Sequence, residues 1–441
     1  MSLRLISNNS TSIAAVNAGN LAFADKTMFI ERLESDPDCR AALFLRPGRF
    51  GKTLFTDILL NYYDRAMKES FDETFRGTSI HEHRTPQAGS LCCIRLDFSQ
   101  VSGCTEQAKS SFTRELADAL RDFTGRYPEL GLPYSELKSG IYDEPAGLMK
   151  EFVTNFRSRS SGKERLFVII DRYDHFANSI LARNAGASKE TASAAECPPG
   201  FIRQFYAFLK EAFGGVRGRP ISRIFITGVS SVSLDSLISG FNIAANISND
   251  PRFNAMAGLT REELSEIIDE TVDFSELNGL TKEKILQVME SRYGGYVFSF
   301  QACERIFNPD LCLSLLKDLT SAKAMPERLL PDSAGADPGR LEAILRLAAP
   351  EAGEEITRRI QRREEIPADP PVALSISQRG FLNYSQAVSL LMYHGYLTIA
   401  PQNEPGSGRV IYRCPNEACY QVFNRYAEGR SGRKEIRRTD L

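Results

Sequence analysis

The stretch "LFLRPGRFGKTLF" (43–55) decides the fold. The apolar run "AALFL" (41–45) predicts a short buried strand, and "KTLFTDILLNYYDRAM" (52–67) predicts a helix. Apolar side chains of that helix recur at helical spacing: Leu54, Ile58, Leu59 and Tyr62. Strand, glycine-containing loop and helix in this order are typical of a phosphate-binding loop, where backbone N–H groups at a helix start converge on an anion.

The loop supplies three groups that a bound triphosphate needs. Gly51 gives backbone freedom, Lys52 a cation for the β and γ phosphates, and Thr53 a hydroxyl for the magnesium shell. Arg46 stands where the general pattern has its first glycine, so its side chain must point out of the tight turn, although it adds positive charge, as Arg49 does. The predicted nucleotide-binding residues are Arg46, Pro47, Gly48, Arg49, Phe50, Gly51, Lys52, Thr53, Leu54 and, from a later strand, Thr227.

A second apolar run, "RLFVIID" (165–171), predicts a strand that ends in Asp171. An aspartate at the tip of a strand beside the loop holds magnesium in such sites, so Thr53 and Asp171 are the predicted metal ligands. Hydrolysis then needs a carboxylate next to that aspartate, but Arg172 occupies the position and cannot act as a base. Asp174 is the nearest substitute, and Lys52 and Asp174 are therefore the catalytic candidates. The alternative is that Asp174 is satisfied at the strand-to-helix turn.

Two further strands, "SLCCIRLDFS" (90–99) and "SRIFITGVS" (222–230), alternate with helical stretches over 105–127 and 201–213. This alternation predicts an α/β fold, a P-loop NTPase parallel sheet with helices on both faces. Thr227 and Ser230 lie at the end of the strand over 222–230, where they would sense the γ phosphate or the attacking water. The alternative is that they are small residues that pack a strand end.

The rest of the chain predicts further units. A stretch over 181–200, rich in Ala, Ser and Gly, predicts a mobile surface insertion, and Thr260 with Glu263 forms a capping-box pattern. A Pro- and acid-rich connector should contain one helix (340–349). The predicted domains are a P-loop nucleotide-binding domain (1–250), a helical lid-like domain (251–325), a connector (326–372) and a small winged-helix-like module with a basic tail (373–441).

Composition limits the function classes. The chain has 441 residues, a formal net charge of −2 and 25% charged residues, which argues against an electrostatic grip on nucleic acid by the whole protein. No run is apolar enough for a membrane span, and the start lacks the core of a secretory signal, so we expect a cytoplasmic protein without a membrane partner. The basic tail is either a solvated end or a nucleic-acid contact; its cations are Arg430, Arg433, Lys434, Arg437 and Arg438.

The sequence resembles the AAA-ATPase-like proteins of bacteria and some protists, whose members typically carry an R-P-R-R-F-G-K-T loop and I-D-E-Y-D on the magnesium strand. The matching strings include "RPGRFGKT" (46–53), "IDRYDHFAN" (170–178), "FITGVSSVSLDSLISGFNIAANIS" (225–248) and "LLMYHGYLTI" (390–399), within a similarity that runs from about residue 22 to about residue 420. Arg46 is the first loop residue of that family, so the loop is modified rather than accidental.

Two departures from the family pattern bear on activity. Gly48 stands where the family usually has a second arginine, and Arg172 replaces the water-activating glutamate. The resemblance implies phosphate and magnesium roles for Lys52, Thr53 and Asp171. The family's D-K-T segment is matched by Asp25, Lys26 and Thr27, which we expect to hold the nucleotide side of the sheet.

The expected function is therefore an AAA-like protein that binds Mg-ATP and hydrolyses it weakly, as a degenerate ATPase. The alternative is a non-catalytic scaffold or nucleic-acid-binding protein whose C-terminal module contacts DNA or protein. Many relatives continue into a restriction-endonuclease-like domain, which we do not expect in a sequence that ends at Leu441. Relatives often assemble into rings, but the sequence assigns no residue to an interface.

Overall fold

The strand of the strand–loop–helix unit belongs to a parallel sheet in this computed structural model, where it is hydrogen-bonded to a strand on each side. The structure describes residues 3–7, 10–101, 105–135, 144–177, 200–214, 219–231, 243–277, 279–326, 338–371, 381–401, 403 and 408–439. None of the helices in these ranges is both long and apolar enough to span a bilayer. The predicted insertion at 181–200 falls, except for its last residue, outside the described residues.

Five parallel strands form the main sheet in the order β2-β3-β4-β1-β5. The strands are β1 (Ala41–Leu45), β2 (Cys92–Asp97), β3 (Leu166–Asp171), β4 (Ile221–Gly228) and β5 (Ala245–Asn246). The predicted α/β sheet is confirmed. One detail differs: β4 lies between β1 and β3, so the strand that carries Asp171 is not hydrogen-bonded to the strand that leads into the loop. The carboxyl ends of parallel strands nonetheless share one edge of the sheet.

Helices cover both faces of the sheet. One face packs against α1 (Ile13–Ala18), α2 (Met28–Ser35), α3 (Lys52–Tyr63), α4 (Phe71–Phe75) and α5 (Ser79–Glu82). The other packs against α6 (Thr105–Arg126), α7 (Pro145–Arg159) and α8 (Gly200–Ala212). Within β1, Ala42 and Phe44 belong to the first core, whereas Leu43 and Leu45 belong to the second. Because both faces are buried, the strands read as continuous apolar runs instead of alternating ones.

A helical region with its own apolar core follows the sheet. It consists of α9 (Arg261–Thr271), α10 (Lys282–Tyr293) and α11 (Pro309–Ala322). The predicted capping box is confirmed, since Thr260 accepts a hydrogen bond from the Glu263 N–H and the Glu263 carboxylate accepts one from the Thr260 N–H. Glu263 also accepts from the Lys26 ammonium, which joins this region to the segment before β1.

The last part of the chain, residues 338–439, is called the C-terminal unit below. Its elements are α12 (Pro338–Leu347), α13 (Pro350–Gln361), β6 (Ile366–Ala368), α14 (Tyr384–Tyr393), β7 (Thr398–Ile399), β8 (Val410–Arg413) and α15 (Glu417–Thr439). The strands form an antiparallel sheet in the order β6-β8-β7. The segment expected to be a connector with one helix therefore holds α12, α13 and β6, because apolar residues of all three pack into the shared core. The domain boundaries themselves stay a prediction.

Candidate functional site

A cavity of about 440 Å³ lies at the carboxyl edge of the main sheet. Its wall contains residues 48–55 of the loop and first helical turn, Gly228 and Val229 after β4, and residues 256–259 before α9. This volume falls in the range of small-molecule sites, which are also found preferentially at this edge of α/β sheets. The cavity also reaches Arg340 on α12 of the C-terminal unit.

Two residues of the loop, separated by Phe50, adopt the left-handed conformation before the helix. Arg49 has a φ of 63° and Gly51, the residue that precedes α3, a φ of 94°. Only glycine adopts such a conformation without strain, so Gly51 is required by the turn. A Cβ added at Gly48 would meet nothing within 4 Å, so the structure leaves room for the arginine that the family usually has there.

Lys52 is buried and bonded to the loop itself. Its ammonium donates hydrogen bonds to the carbonyl oxygens of Arg46 at 2.9 Å and Pro47 at 2.7 Å. Burial lowers the pKa of Lys52 to about 8, against the opposing attraction of the Asp171 and Asp174 carboxylates. The predicted phosphate lysine and both predicted aspartates are therefore close enough to act on one another electrostatically.

The Arg46 side chain points away from the cavity, in keeping with its place in a tight turn. Its guanidinium is buried and lies against the rings of Phe44 and Phe298, at 4.4 and 4.5 Å from their centroids. Four carbonyl oxygens accept its hydrogen bonds: those of Leu45, Ser248, Phe253 and Asn254. Burial lowers the pKa of Arg46 to about 9. Because this value is still above neutral pH, the guanidinium stays charged. Instead of adding charge beside a phosphate, Arg46 fixes the loop to the segment after β5.

The other predicted binding residues divide into two groups. Residues 48–54 line the cavity, whereas Arg46, Pro47 and Thr227 do not. Arg49 is half exposed and pairs with Asp310 at the start of α11. The Thr227 hydroxyl is buried and donates to the Phe44 carbonyl oxygen at 2.8 Å, so it joins β4 to β1.

Asp171, at the end of β3, carries an unpaired oxygen. Its side chain is fully buried; Oδ2 accepts from Arg95 Nη2 at 3.5 Å, and Oδ1 has no hydrogen-bond partner within the described part of the chain. Such an atom is costly to bury and is the kind that a cation satisfies. Asp171 is not one of the residues that line the cavity, whereas the other predicted metal ligand, Thr53, lines it.

The residues present fit magnesium on these grounds. A threonine hydroxyl and a carboxylate provide the oxygen donors that this ion prefers, and magnesium usually completes its shell with water and phosphate. Among the residues that the structure describes, no cluster of three His, Cys, Asp or Glu side chains could hold a metal alone.

Arg172 and Asp174 follow β3 and both line the cavity. Arg172 has a φ of 56°, and its half-exposed guanidinium lies 3.9 Å from the Asp97 carboxylate on β2. Asp174 is buried and accepts hydrogen bonds from the N–H groups of Val229 at 3.0 Å and Ser230 at 2.7 Å, and from the Ser230 hydroxyl at 3.2 Å. This geometry matches the alternative interpretation, in which the carboxylate is satisfied at the turn, and its role as a base stays a prediction.

The D-K-T segment contacts the start of α5, and its expected role at the nucleotide side of the sheet stays a prediction. Asp25 accepts hydrogen bonds from the N–H groups of Thr27 and Ser79, and the Thr27 hydroxyl accepts from the Ile80 N–H. Lys26 lies on the cavity wall, where it binds Glu263.

His175 and Arg340 are among the wall residues that the sequence analysis did not predict. His175 lies within the quoted "IDRYDHFAN" string, whose position after the aspartate could have indicated it. No local pattern marks Arg340, which comes to the cavity through the packing of the C-terminal unit.

Comparison with known proteins gives the family of the chain. A protein of Azotobacter chroococcum mcd 1 named "Uncharacterized protein in vnfD 5'region" is 29% identical over 274 residues, which cover 62% of this chain and 44% of the relative. The match thus spans less than half of the length of that relative. No solved structure matches the chain. The model of the family described as "Predicted AAA-ATPase" matches residues 11–238, just over half of the chain and including the loop, Asp171 and β4. The chain therefore belongs to this AAA-ATPase-like family.

Proposed function

We propose that the protein binds a magnesium-bound nucleoside triphosphate, ATP according to the description of its family, in the cavity above the loop. Membership of the family suggests nucleotide binding. The observation that carries the proposal is that Gly51, Lys52 and Thr53 stand together on the cavity wall at the start of α3. There the N–H groups and the helix dipole favour an anion.

Each residue has a distinct role in this proposal. Lys52 exchanges its two carbonyl partners for phosphate oxygens, a charge-assisted contact that is stronger than the neutral bonds it replaces. Thr53 and Asp171 hold the magnesium ion, which when bound supplies neutralisation of the β and γ phosphates. The base would pack against apolar residues of the cavity wall, namely Phe23, Leu259 and Leu313.

Hydrolysis is proposed to be weak. Arg172 cannot accept a proton, and Asp174 already accepts from Val229 and Ser230. We expect turnover at least ~10²-fold below that of an intact site, the scale commonly lost with a positioned general base. Arg172→Glu should raise phosphate release; rapid release by the unaltered protein would show that Asp174 or another group activates water.

Binding is tested by calorimetric titration of the full chain with Mg-ATP. Lys52→Ala should abolish the heat of binding. The matched control is Lys163→Ala, because Lys163 is exposed and lies just before β3, at the amino edge of the sheet. No heat from the folded, unaltered protein at millimolar nucleotide contradicts the proposal.

A second candidate is a non-catalytic scaffold or nucleic-acid-binding protein that retains the P-loop fold. The hydrogen bonds that Asp174 accepts favour this function, because they occupy the carboxylate that would otherwise activate water. The C-terminal unit, with α14 followed by the β7 and β8 pair, would be its winged-helix-like contact surface for nucleic acid or protein. Side chains of the basic tail at 430–438 lie outside the described residues. A salt-dependent gel shift of labelled duplex, lost on truncation after residue 428, supports nucleic-acid binding, and no shift at low salt argues against it.

A further inference from the structure

Arg95 places a positive charge inside the main sheet. It interrupts the apolar run "CCIRLD" (92–97) of β2, and both of its neighbours in the sequence are buried apolar residues. Cys93 on β2 and Ile169 on β3 belong to the core that α3 covers. Because side chains two positions apart on a strand face the same side, Arg95 and Asp171 both face α3. An arginine at such a position is costly unless carboxylates balance its charge.

Two carboxylates share the charge of Arg95. Its Nη2 donates to Asp171 Oδ2 at 3.5 Å, and its Nη1 lies 3.9 Å from Oδ1 of Asp57 on α3. Both distances exceed the length of about 2.7–2.9 Å that is usual for a charge-assisted hydrogen bond. Arg95 Nε is buried and has no hydrogen-bond partner among the residues that the structure describes. Arg95 thus lies between two carboxylates and is closely bonded to neither of them.

The Asp57 carboxylate is held in a fixed orientation. Its Oδ2 accepts hydrogen bonds from the N–H of Ile13, the first residue of α1, at 2.8 Å and from Asn61 Nδ2 at 3.1 Å. Oδ1 is the atom that lies nearest to Arg95, and the side chain is only 12% exposed. A fixed and mostly buried carboxylate can accept the Arg95 guanidinium without a rearrangement of the backbone.

A cation bound at Asp171 competes with Arg95 for the same carboxylate. Asp171 is fully buried, and a guanidinium and a divalent cation repel each other at one carboxylate. Lys52 also attracts Asp171, but its ammonium donates to two loop carbonyl oxygens. Arg95 has a second carboxylate, that of Asp57, within 3.9 Å. Arg95 can therefore leave Asp171 without becoming an unpaired buried charge.

We propose that Arg95 is the counter-ion that Asp171 exchanges for magnesium, and that Asp57 then accepts the released guanidinium. This inference rests on the proposed function and adds a positioning residue that does not line the cavity. Before the metal binds, Arg95 balances the charge of Asp171. After the exchange, the distance from Arg95 to Asp57 shortens to about 2.9 Å, the length of an ordinary charge-assisted bond. Because Arg95 must first be displaced, it lowers the affinity of the site for the metal.

The test measures how much magnesium adds to ATP binding. The full chain is titrated with ATP by calorimetry, once with Mg²⁺ and once with EDTA, and the ratio of the two affinities is compared between variants. Arg95→Met should raise this ratio about 10-fold, because no guanidinium then has to be displaced from Asp171. Arg95→Lys keeps the charge and should stay within about 3-fold of the unaltered protein.

Arg223→Met is the matched control. Arg223 is also a buried arginine of the main sheet, but it donates to Gln87 and lies against the ring of Tyr63. Its replacement should leave the ratio of affinities unchanged. A change in Arg223→Met as large as that in Arg95→Met would mean that the ratio reports a general disturbance of the sheet, and it would overturn the inference.

A double-mutant cycle separates the exchange from a simple effect of charge. Asp57→Asn removes the charge that receives Arg95, while its amide oxygen can still accept from the Ile13 N–H. It should lower the ratio of affinities by about 3-fold or more, because Arg95 then stays on Asp171. In the Arg95→Met background, the same change should alter the ratio by less than about 2-fold. Equal effects in both backgrounds contradict the exchange.

A crystal structure of the unaltered protein with Mn²⁺ and ATP gives a readout that needs no variant. Arg95 should then lie closer to Asp57 than to Asp171, the reverse of the present 3.9 and 3.5 Å. An Arg95 that stays on Asp171 beside the bound metal overturns the inference.

The outcomes distinguish this inference from the proposed function. If the unaltered protein binds ATP more tightly with Mg²⁺ but Arg95→Met lowers the ratio of affinities or leaves it unchanged, the proposed function stands and the inference alone fails. If ATP binds equally with Mg²⁺ and with EDTA, nucleotide binding stands, but the magnesium site and this inference fail. If the unaltered protein binds no ATP under either condition, both fail.

Discussion

Replacing Arg46 with methionine should destabilise the fold far more than it weakens nucleotide binding. The change removes the hydrogen bonds that the guanidinium donates to four carbonyl oxygens, those of Leu45, Ser248, Phe253 and Asn254. Of these four oxygens, that of Phe253 keeps the Met256 N–H as a donor. A buried oxygen left unpaired costs about 1–3 kcal/mol. Part of this loss is offset, because a methionine avoids the desolvation cost of several kcal/mol that burying a guanidinium carries. We expect a net loss of about 3–5 kcal/mol in the free energy of unfolding, the range found when a buried charged contact loses one partner.

The assay is urea unfolding followed by circular dichroism, with Mg-ATP affinity measured on the same variants. Arg49→Met is the control, because the Arg49 side chain is 53% exposed and its pairing with Asp310 is partly screened by solvent. It should lose less than about 1 kcal/mol. Arg46→Lys should lie between the two, since an ammonium keeps the charge but lacks the planar fork that reaches four oxygens.

One result would refute this reasoning. If Arg46→Met is as stable as Arg49→Met but binds Mg-ATP much more weakly, the guanidinium serves the phosphates, as its position in the loop suggested, and its contacts with the segment after β5 do not stabilise the loop.

Three further predictions concern other parts of the site. Gly228→Ala should cost about 1–3 kcal/mol of stability by urea unfolding, because its Cβ would lie 2.4 Å from Asp174 Oδ1. Burial holds the pKa of His394 well below its usual 6.5, so the folded state favours the neutral ring, and stability should fall as the pH drops below about 6.5. His394→Gln should remove up to about 1.4 kcal/mol per pH unit of that dependence between pH 6.5 and 5.5, whereas the exposed His83→Gln should not. Gly48→Arg should leave the unfolding midpoint unchanged, because its Cβ would enter open space, and should tighten Mg-ATP binding.

The strands of the main sheet could be predicted because a doubly covered parallel strand needs an uninterrupted apolar run. The runs "AALFL" and "LFVIID" are short, continuous and apolar, and they lie between polar segments, which is typical of such strands. The loop could be predicted for a similar reason, since Gly51 stands directly before a helix that begins at Lys52 and has a clear apolar stripe. These signals are local, and each is complete within about a dozen residues.

The partners of the Arg46 side chain could not be predicted, since those on the segment after β5 lie more than 200 positions away. The same holds for Asp174, whose acceptor atoms are used by N–H groups 55 and 56 positions later. The helix α13 was missed because it begins at Pro350 and places few apolar residues, Ile356 and Ile360 among them, in an otherwise charged stretch. Long-range partners decide which of two local interpretations applies, and a sequence alone gives no distances.

Lys26 and Glu263 are separated by 237 positions, yet they form one buried ion pair at the start of α9. The Glu263 carboxylate has two roles, because it pairs with Lys26 and also accepts the capping-box hydrogen bond from the Thr260 N–H. A substitution at either position alone leaves an uncompensated charge beside the cavity, and at Glu263 it also removes one of the two hydrogen bonds of the capping box. The two positions should thus tolerate change only as a pair, and among homologous chains we expect them to vary together.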